Sequence, residues 1–421
     1  MPSARMRPAL VRLHRWIGLA TALFLGVAGI TGSLLAFKEE LEGLINPRLF
    51  IVEAAPGAAM IDPLALRDQV QARFPQARVD QVPFPRPGAS ARFFLWPRPD
   101  ATEATEARMP ALEVGDVFFD PYTGTYLGGR KWGQLLDGGV WRRENIVPFI
   151  WRLHEALALP HPWGKLFMGV VALLWTLDCF VGVALTLPSR SPFFARWKPA
   201  WTLKPGASTF RRIFDLHRAF GLWCWLLLLV FAWSSVMLNL RTAVYQPLMS
   251  QALRFEDTEL RPLAQPDYHP RLSWREAHTI GQALLQGEAA RRGFQIHAQD
   301  SLWYRPALGA YLYRSHTARD IRSHGAASDV WIDADTGKMI AIHLERDTAM
   351  GNLVSEWLRA LHTGRVFDPV YRVIVAALGV GVAILSATGV WIWWKKRAAR
   401  TKAQVATQLN APGAEELSKQ R

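Results

Sequence analysis

Four runs of 22 residues, at 16–37, 166–187, 219–240 and 373–394, contain one charged side chain between them, Asp178. A helix of about 20 apolar residues spans a hydrocarbon core of roughly 30 Å. The pattern therefore predicts an α-helical membrane protein with four spans and excludes a soluble enzyme. The first run is longer than the ~7–15-residue apolar stretch of a signal peptide, and no small-x-small cleavage site precedes the polar segment at Lys38. It is expected to stay as an anchor.

Two long segments separate the spans, each large enough for a small domain. In the first, PLALRDQVQARFP (63–75) has helical periodicity, followed by the strand-like VDQVPF, ARFFLW and VFFD. In the second, SWREAHTIGQALLQGE (273–288) is followed by FQIHA, YLYRSH and SDVWID. Each segment then carries D-x-x-T-G, at 120–124 and at 333–337, a hairpin turn in which Gly supplies positive φ. Two small α+β domains are expected. The stretch 99–112, PDATEATEARMPAL, lacks periodicity and reads as a mobile insertion.

Charge sets the orientation. The 421 residues carry a formal net charge of +14, but it is concentrated. Residues 1–16 hold Arg5, Arg7, Arg12 and Arg15 and no acid. The connection 188–216 sets Arg190, Arg196, Lys198, Lys204, Arg211 and Arg212 against Asp215 alone, and the tail opens with Lys395, Lys396 and Arg397. Basic short segments stay on the cytoplasmic side. Both termini and 188–216 are thus expected in the cytoplasm, with no nucleic-acid partner. The expected plan is a cytoplasmic N-terminus and first span (1–37), an outer domain (38–150), and an interfacial helix with the second span (151–187). A cytoplasmic loop (188–216), third span (217–240) and second outer domain (241–352) follow. An interfacial helix with the fourth span (353–394) and a cytoplasmic tail (395–421) complete it.

The chain is written twice. L-H-R-x-x-G-L occurs at 13–19, entering the first span, and at 216–222, entering the third. FIWRLHEALALPHPWGK precedes the second span and EWLRALHTGRVFDPVYR the fourth. The plan is helix–outer domain–helix, repeated in parallel about an axis along the membrane normal.

Of the 11 histidines, four occupy repeat-related positions at membrane boundaries: His14 and His217 on the inner side, His154 and His362 on the outer. Neutral imidazole is a common axial ligand of haem iron, and a pair from facing helices makes a six-coordinate electron-transfer centre. An interfacial His is by itself an ordinary amphipathic residue; the duplication is what favours ligation, with His14 paired to His217 and His154 to His362. Gly18 and Gly221 fall one helical turn after the inner pair, where a missing side chain lets a flat macrocycle approach. Arg15 and Arg218 are placed to pair with propionates or lipid phosphate. His161, between two prolines, is the rival outer ligand. Neither cysteine, Cys179 or Cys224, lies in a C-x-x-C-H attachment site, so haem would be held non-covalently.

Asp178 is a candidate intramembrane proton or quinol contact, or a structural partner of hydroxyls. The other six histidines, His269, His278, His297, His316, His324 and His343, lack metal-ligand spacing and read as mostly solvated. No G-x-G-x-x-G after a strand and no Walker loop is present, so electrons would come from a separate donor, quinol or a cytoplasmic protein.

The D-P-Y-T-G hairpin after a V-F-F strand resembles a PepSY domain. With L-H-R before spans one and three and W-x-L-H or its equivalent before spans two and four, residues 8–397 resemble the PepSY-associated transmembrane proteins. The resemblance implies a di-haem b-type cytochrome with two non-covalent haem b groups, similar to inner-membrane ferric-siderophore reductases. It also implies a periplasmic ferric siderophore or other chelate as substrate, with accessory periplasmic proteins as partners beside membrane lipid. The rival reading is a non-redox scaffold or regulator that binds a peptide or protease through its outer domains.

Overall fold

The computed structural model describes residues 6–98, 115–257 and 260–409. The 99–112 insertion therefore lies outside the described residues. The main elements of the first half are α1 (Arg7–Leu35), α2 (Lys38–Ile45), α3 (Pro63–Arg73), β1 (Gln81–Pro83), β2 (Ala91–Phe94), β3 (Asp116–Phe119), β4 (Tyr126–Arg130), α4 (Ile146–Ala156) and α5 (Trp163–Thr186). Next come α6 (Thr209–Trp223), α7 (Trp225–Asn239), α8 (Trp274–Arg292), β5 (Ile296–Arg305), β6 (Ala310–Thr317), β7 (Ser328–Asp333), β8 (Met339–His343), α9 (Met350–His362) and α10 (Val370–Leu409). The chain divides into two compact units. A helical unit takes the N-terminal stretch to Ser33, Leu153–Arg241 and the chain from Ile374; a mixed unit takes Leu34–Arg152 and Thr242–Val373.

In the helical unit, Arg7–Leu35, Trp163–Thr186 and Val370–Gln404 are long and apolar enough to cross a membrane. The third apolar run differs from expectation. It is not one straight span at 217–240 but two helices, α6 and α7, meeting at a 69° bend. Cys224 sits at the corner with φ −99° and ψ 3°, and its N–H donates to Phe220 O and Leu222 O. Ser208 caps α6 by accepting from Arg211 N. At about 1.5 Å per residue, α7 alone is shorter than a hydrocarbon core, so a fourth crossing needs both arms.

Small residues set the packing, as expected where helices have no water to exclude and gain from close approach. A Cβ on Gly29 would lie 2.4 Å from Gly379 O, and one on Gly379 would lie 2.4 Å from Gly29 O. Gly381 makes room for the Phe220 ring in the same way. Cys179, Leu228, Ala232, Leu378 and Val382 form the core where α5, α7 and α10 meet, with Trp175 and Trp225 packed on it.

In the mixed unit, β2, β3 and β4 form an antiparallel sheet backed by α3, around Leu66, Val70, Phe93, Val117 and Phe119. The second sheet has the order β8-β7-β6-β5-β1. Helix α8 covers it, started by a Ser273–Glu276 capping box and ended by Gly293 at φ 67°. The two hairpin turns are built alike. Asp120 accepts from Tyr122 N and donates its N–H to Thr125 O; Asp333 accepts from Thr336 N and donates to Lys338 O. Gly124 and Gly337 hold φ 72° and 71°.

From sequence, the outer segments are two domains with a sheet each. In the structure they share one unit, because β1 leaves its own segment's sheet and pairs with β5, Gln81 against Trp303. Val82 is the reason. Fully buried, it joins the core of Leu285, Leu302, Tyr311 and Ile332 rather than that of Phe93.

Candidate functional site

Helices α1 and α6 bring His14 and His217 together, with ring centres 6.3 Å apart and planes at 64°. Each ring is held through the same nitrogen. His14 Nδ1 lies 2.8 Å from Asp178 Oδ1 on α5, and His217 Nδ1 lies 2.9 Å from Thr388 Oγ1 on α10. The Thr388 hydroxyl spends its proton on Ile384 O at 2.7 Å, so its oxygen accepts from His217. A carboxylate likewise only accepts. Both imidazoles therefore donate through Nδ1, which in the neutral ring leaves the Nε2 lone pair available for a metal.

His154, on α4, repeats this arrangement. Its Nδ1 is 3.0 Å from Ala28 O and 3.1 Å from Thr31 Oγ1, and that hydroxyl donates to Val27 O. A glycine faces each of the three rings. A Cβ on Gly182 would lie 3.8 Å from His14 Cε1, one on Gly389 3.3 Å from His217 Cε1, and one on Gly32 3.0 Å from His154 Cε1.

The residues fit a haem. Two imidazoles sharing one metal, each bonded at about 2.0–2.1 Å and with roughly 1 Å from nitrogen to ring centre, have centres ~6 Å apart. Open space lies beside Gly18 and Gly221, where a Cβ would meet nothing within 4 Å among the described residues. Arg15 and Arg218, next to the two histidines, each bury an Nε without a hydrogen-bond partner among the described residues. Arg218 is otherwise anchored to Pro199 O and to Asp215, which also holds Arg211.

His362 is the last residue of α9 and belongs to the mixed unit, whereas His154 belongs to the helical unit. His161 is exposed. Among the six remaining histidines, His269 and His297 are exposed, while His278 bonds Gln299, His316 bonds Asp320 and His324 pairs with Asp368. Among the described residues, no cluster of three or more His, Cys, Asp or Glu side chains is arranged around a bare metal ion.

Sequence reasoning missed the partners that orient the rings. Asp178 was legible as a costly charge but not as a bond to His14, and Thr388, Thr31 and the facing glycines gave no signal. Intramembrane polarity was the only clue.

The family model of the PepSY-associated TM region matches residues 11–396. The chain belongs to this PepSY-associated transmembrane family. It is accordingly a multi-pass membrane protein, in line with its candidate spans. The match runs from the residues just before His14 to those just after the fourth apolar run, so all four repeat-related histidines fall inside the PepSY-associated region. No curated protein matches the chain.

Proposed function

We propose that this family member is an inner-membrane di-haem b-type cytochrome that passes electrons outward to reduce ferric iron in a periplasmic siderophore or other chelate. His14 and His217 would hold the inner haem, with Arg15 and Arg218 on its propionates; His154 and His362 would serve the outer one. Haem b, when bound, supplies one-electron transfer between carriers. The residues supply orientation: Asp178, Thr388, Thr31 and Ala28 O hold the rings through Nδ1, leaving Nε2 of each neutral ring to bind the iron. That shared Nδ1 anchoring at three of the four repeat-related histidines is the observation that carries the reading. Ferric chelate reduction favours iron release, because hard oxygen ligands hold Fe(III) more tightly than Fe(II). With no nucleotide-binding motif in the chain, the donor is quinol or a cytoplasmic protein.

The reading includes four crossings, with α6 and α7 as one bent span, both termini in the cytoplasm, and a duplicated plan with PepSY-like outer domains. The matched Asp120 and Asp333 turns support the duplication.

An optical spectrum of gently purified protein, with haem counted per chain, tests it. Two low-spin haems are expected in wild type and one in His14→Ala or His217→Ala. Protein that carries no haem would sink the reading and favour the scaffold alternative.

A further inference from the structure

The mixed unit contains an open cleft of about 480 Å³, lined by Lys38, Arg92, Phe94, Trp96, Trp132 and Trp151 among others. Strand alternation explains two of these six. Ala91 and Phe93 of β2 point into the core, so Arg92 and Phe94 face the other way, into the cleft. Lys38 Nζ lies 4.5 Å from the Trp151 ring centre, and the Arg92 guanidinium 4.6 Å from that of Phe94. Phe94 in turn packs against Trp96 at 6.0 Å. Cations set over aromatic faces, with further rings beside them, make a surface suited to a flat ring bearing a negative charge.

The charges around the cleft do not balance. Asp116 is bound by Arg92 at 2.5 Å and by Arg130 at 3.1 Å, and Glu42 is bound by Arg130 at 3.0 Å. Two carboxylates are thus matched by two guanidiniums. Lys38 remains, without an ion pair among the described residues, and the Arg92 Nε is buried without a partner. Burial, with Arg92 beside it, pushes the Lys38 ammonium down to about 8. Arg365 also acts on Lys38 from nearby, so positive charge is in excess here. A site with that excess, with aromatic walls and a volume in the ordinary range of about 300–1,000 Å³ for small-molecule pockets, selects its ligand by both features.

We propose that this cleft binds an aromatic carboxylate, its ring among Trp96, Trp132 and Trp151 and its carboxylate between Lys38 and Arg92. The two oxygens take one charge-assisted bond from the ammonium and one from the guanidinium. No residue of the cleft belongs to the histidine site, so the proposal stands or falls apart from the haem reading.

Isothermal titration of the full-length, detergent-purified protein with benzoate tests it, with benzyl alcohol and acetate as probes lacking the charge or the ring. Benzoate is expected to bind at least about tenfold more tightly than either. Lys38→Met and Trp151→Ala are each expected to weaken benzoate about tenfold, whereas Lys38→Arg and Trp141→Ala retain it. Acetate or benzyl alcohol binding as well as benzoate would overturn the proposal on the unaltered protein, with no dependence on a variant's folding. So would a Lys38→Met protein that melts like wild type and binds benzoate equally.

Discussion

His14 Nδ1 and Asp178 Oδ1 sit 2.8 Å apart, joining α1 to α5 inside the helical unit. An acidic acceptor behind a ligating imidazole fixes its orientation and makes it more basic, and losing such a partner typically costs 10–100-fold in affinity. On the proposed haem reading, Asp178→Ala is expected to weaken retention of an inner haem by about that factor, while Asp178→Asn, which keeps an acceptor oxygen, loses less. Haem transfer to apomyoglobin, followed optically, measures it. Equal retention by Asp178→Ala and wild type would remove Asp178 from the site.

Gly379→Ala should separate α1 from α10, since its Cβ would sit 2.4 Å from Gly29 O and 2.3 Å from Ser33 Oγ. Forced backbone shifts of this kind cost about 1–3 kcal/mol. A lower melting temperature in detergent is the expected result, and an unchanged one would mean the helices are not held this closely.

Arg130, fully buried, binds Glu42 through Nη1 and Nη2 and Asp116 through Nε, and also donates to Glu144 O. Breaking a buried pair by removing one partner costs about 3–5 kcal/mol, because a charge is left uncompensated. Glu42→Gln should lower the stability of the mixed unit by roughly that much, read by denaturant titration of tryptophan fluorescence. Glu42→Asp is expected to recover part of it.

Lys38 titrates near 8, against an ordinary 10.5. Between those values the unfolded chain holds a proton that the folded chain has shed, so this group's contribution to stability rises with pH across the window. Anion binding runs the other way, since it needs the ammonium. Benzoate affinity is expected to fall as pH rises through about 8. The charges that face Lys38 are Arg92, Glu42, Arg365 and Arg130, so the Lys38→Met profile is the control, and it should lack the inflection.

A reporter fused after Arg397 is expected to read cytoplasmic, because the basic segments at 1–16, 188–216 and 395–397 mark one side. A periplasmic readout would overturn the orientation and the assignment of inner and outer histidines with it.

Much of this arrangement was legible from residue pattern. The strand SDVWID is β7 to the residue, and both D-x-x-T-G turns appear where alternation ends. The glycines at 379 and 381 serve helix contact. The corner at Cys224 was hidden, because Trp223 and Trp225 flank it in an unbroken apolar run with neither proline nor a polar gap. The sheet change of β1 was hidden too: three residues alternate equally well against either partner, and only the burial of Val82 decides. His14 and His217 were nameable from the repeat, but the hydroxyl and carboxylate behind them sit on other helices, at spacings that no local motif encodes.

The pairing of β1 with β5 has a consequence for the order of synthesis. Gln81 leaves the ribosome long before Trp303, and two apolar runs with the whole 188–216 connection pass in between. Until then β1 presents an open edge, and the five-stranded sheet lacks its last member. Although the sequence pattern repeats, the two outer segments do not fold as separate modules. A truncated first half cannot complete its fold alone, and co-expressed halves should yield a folded product only when both reach the same compartment.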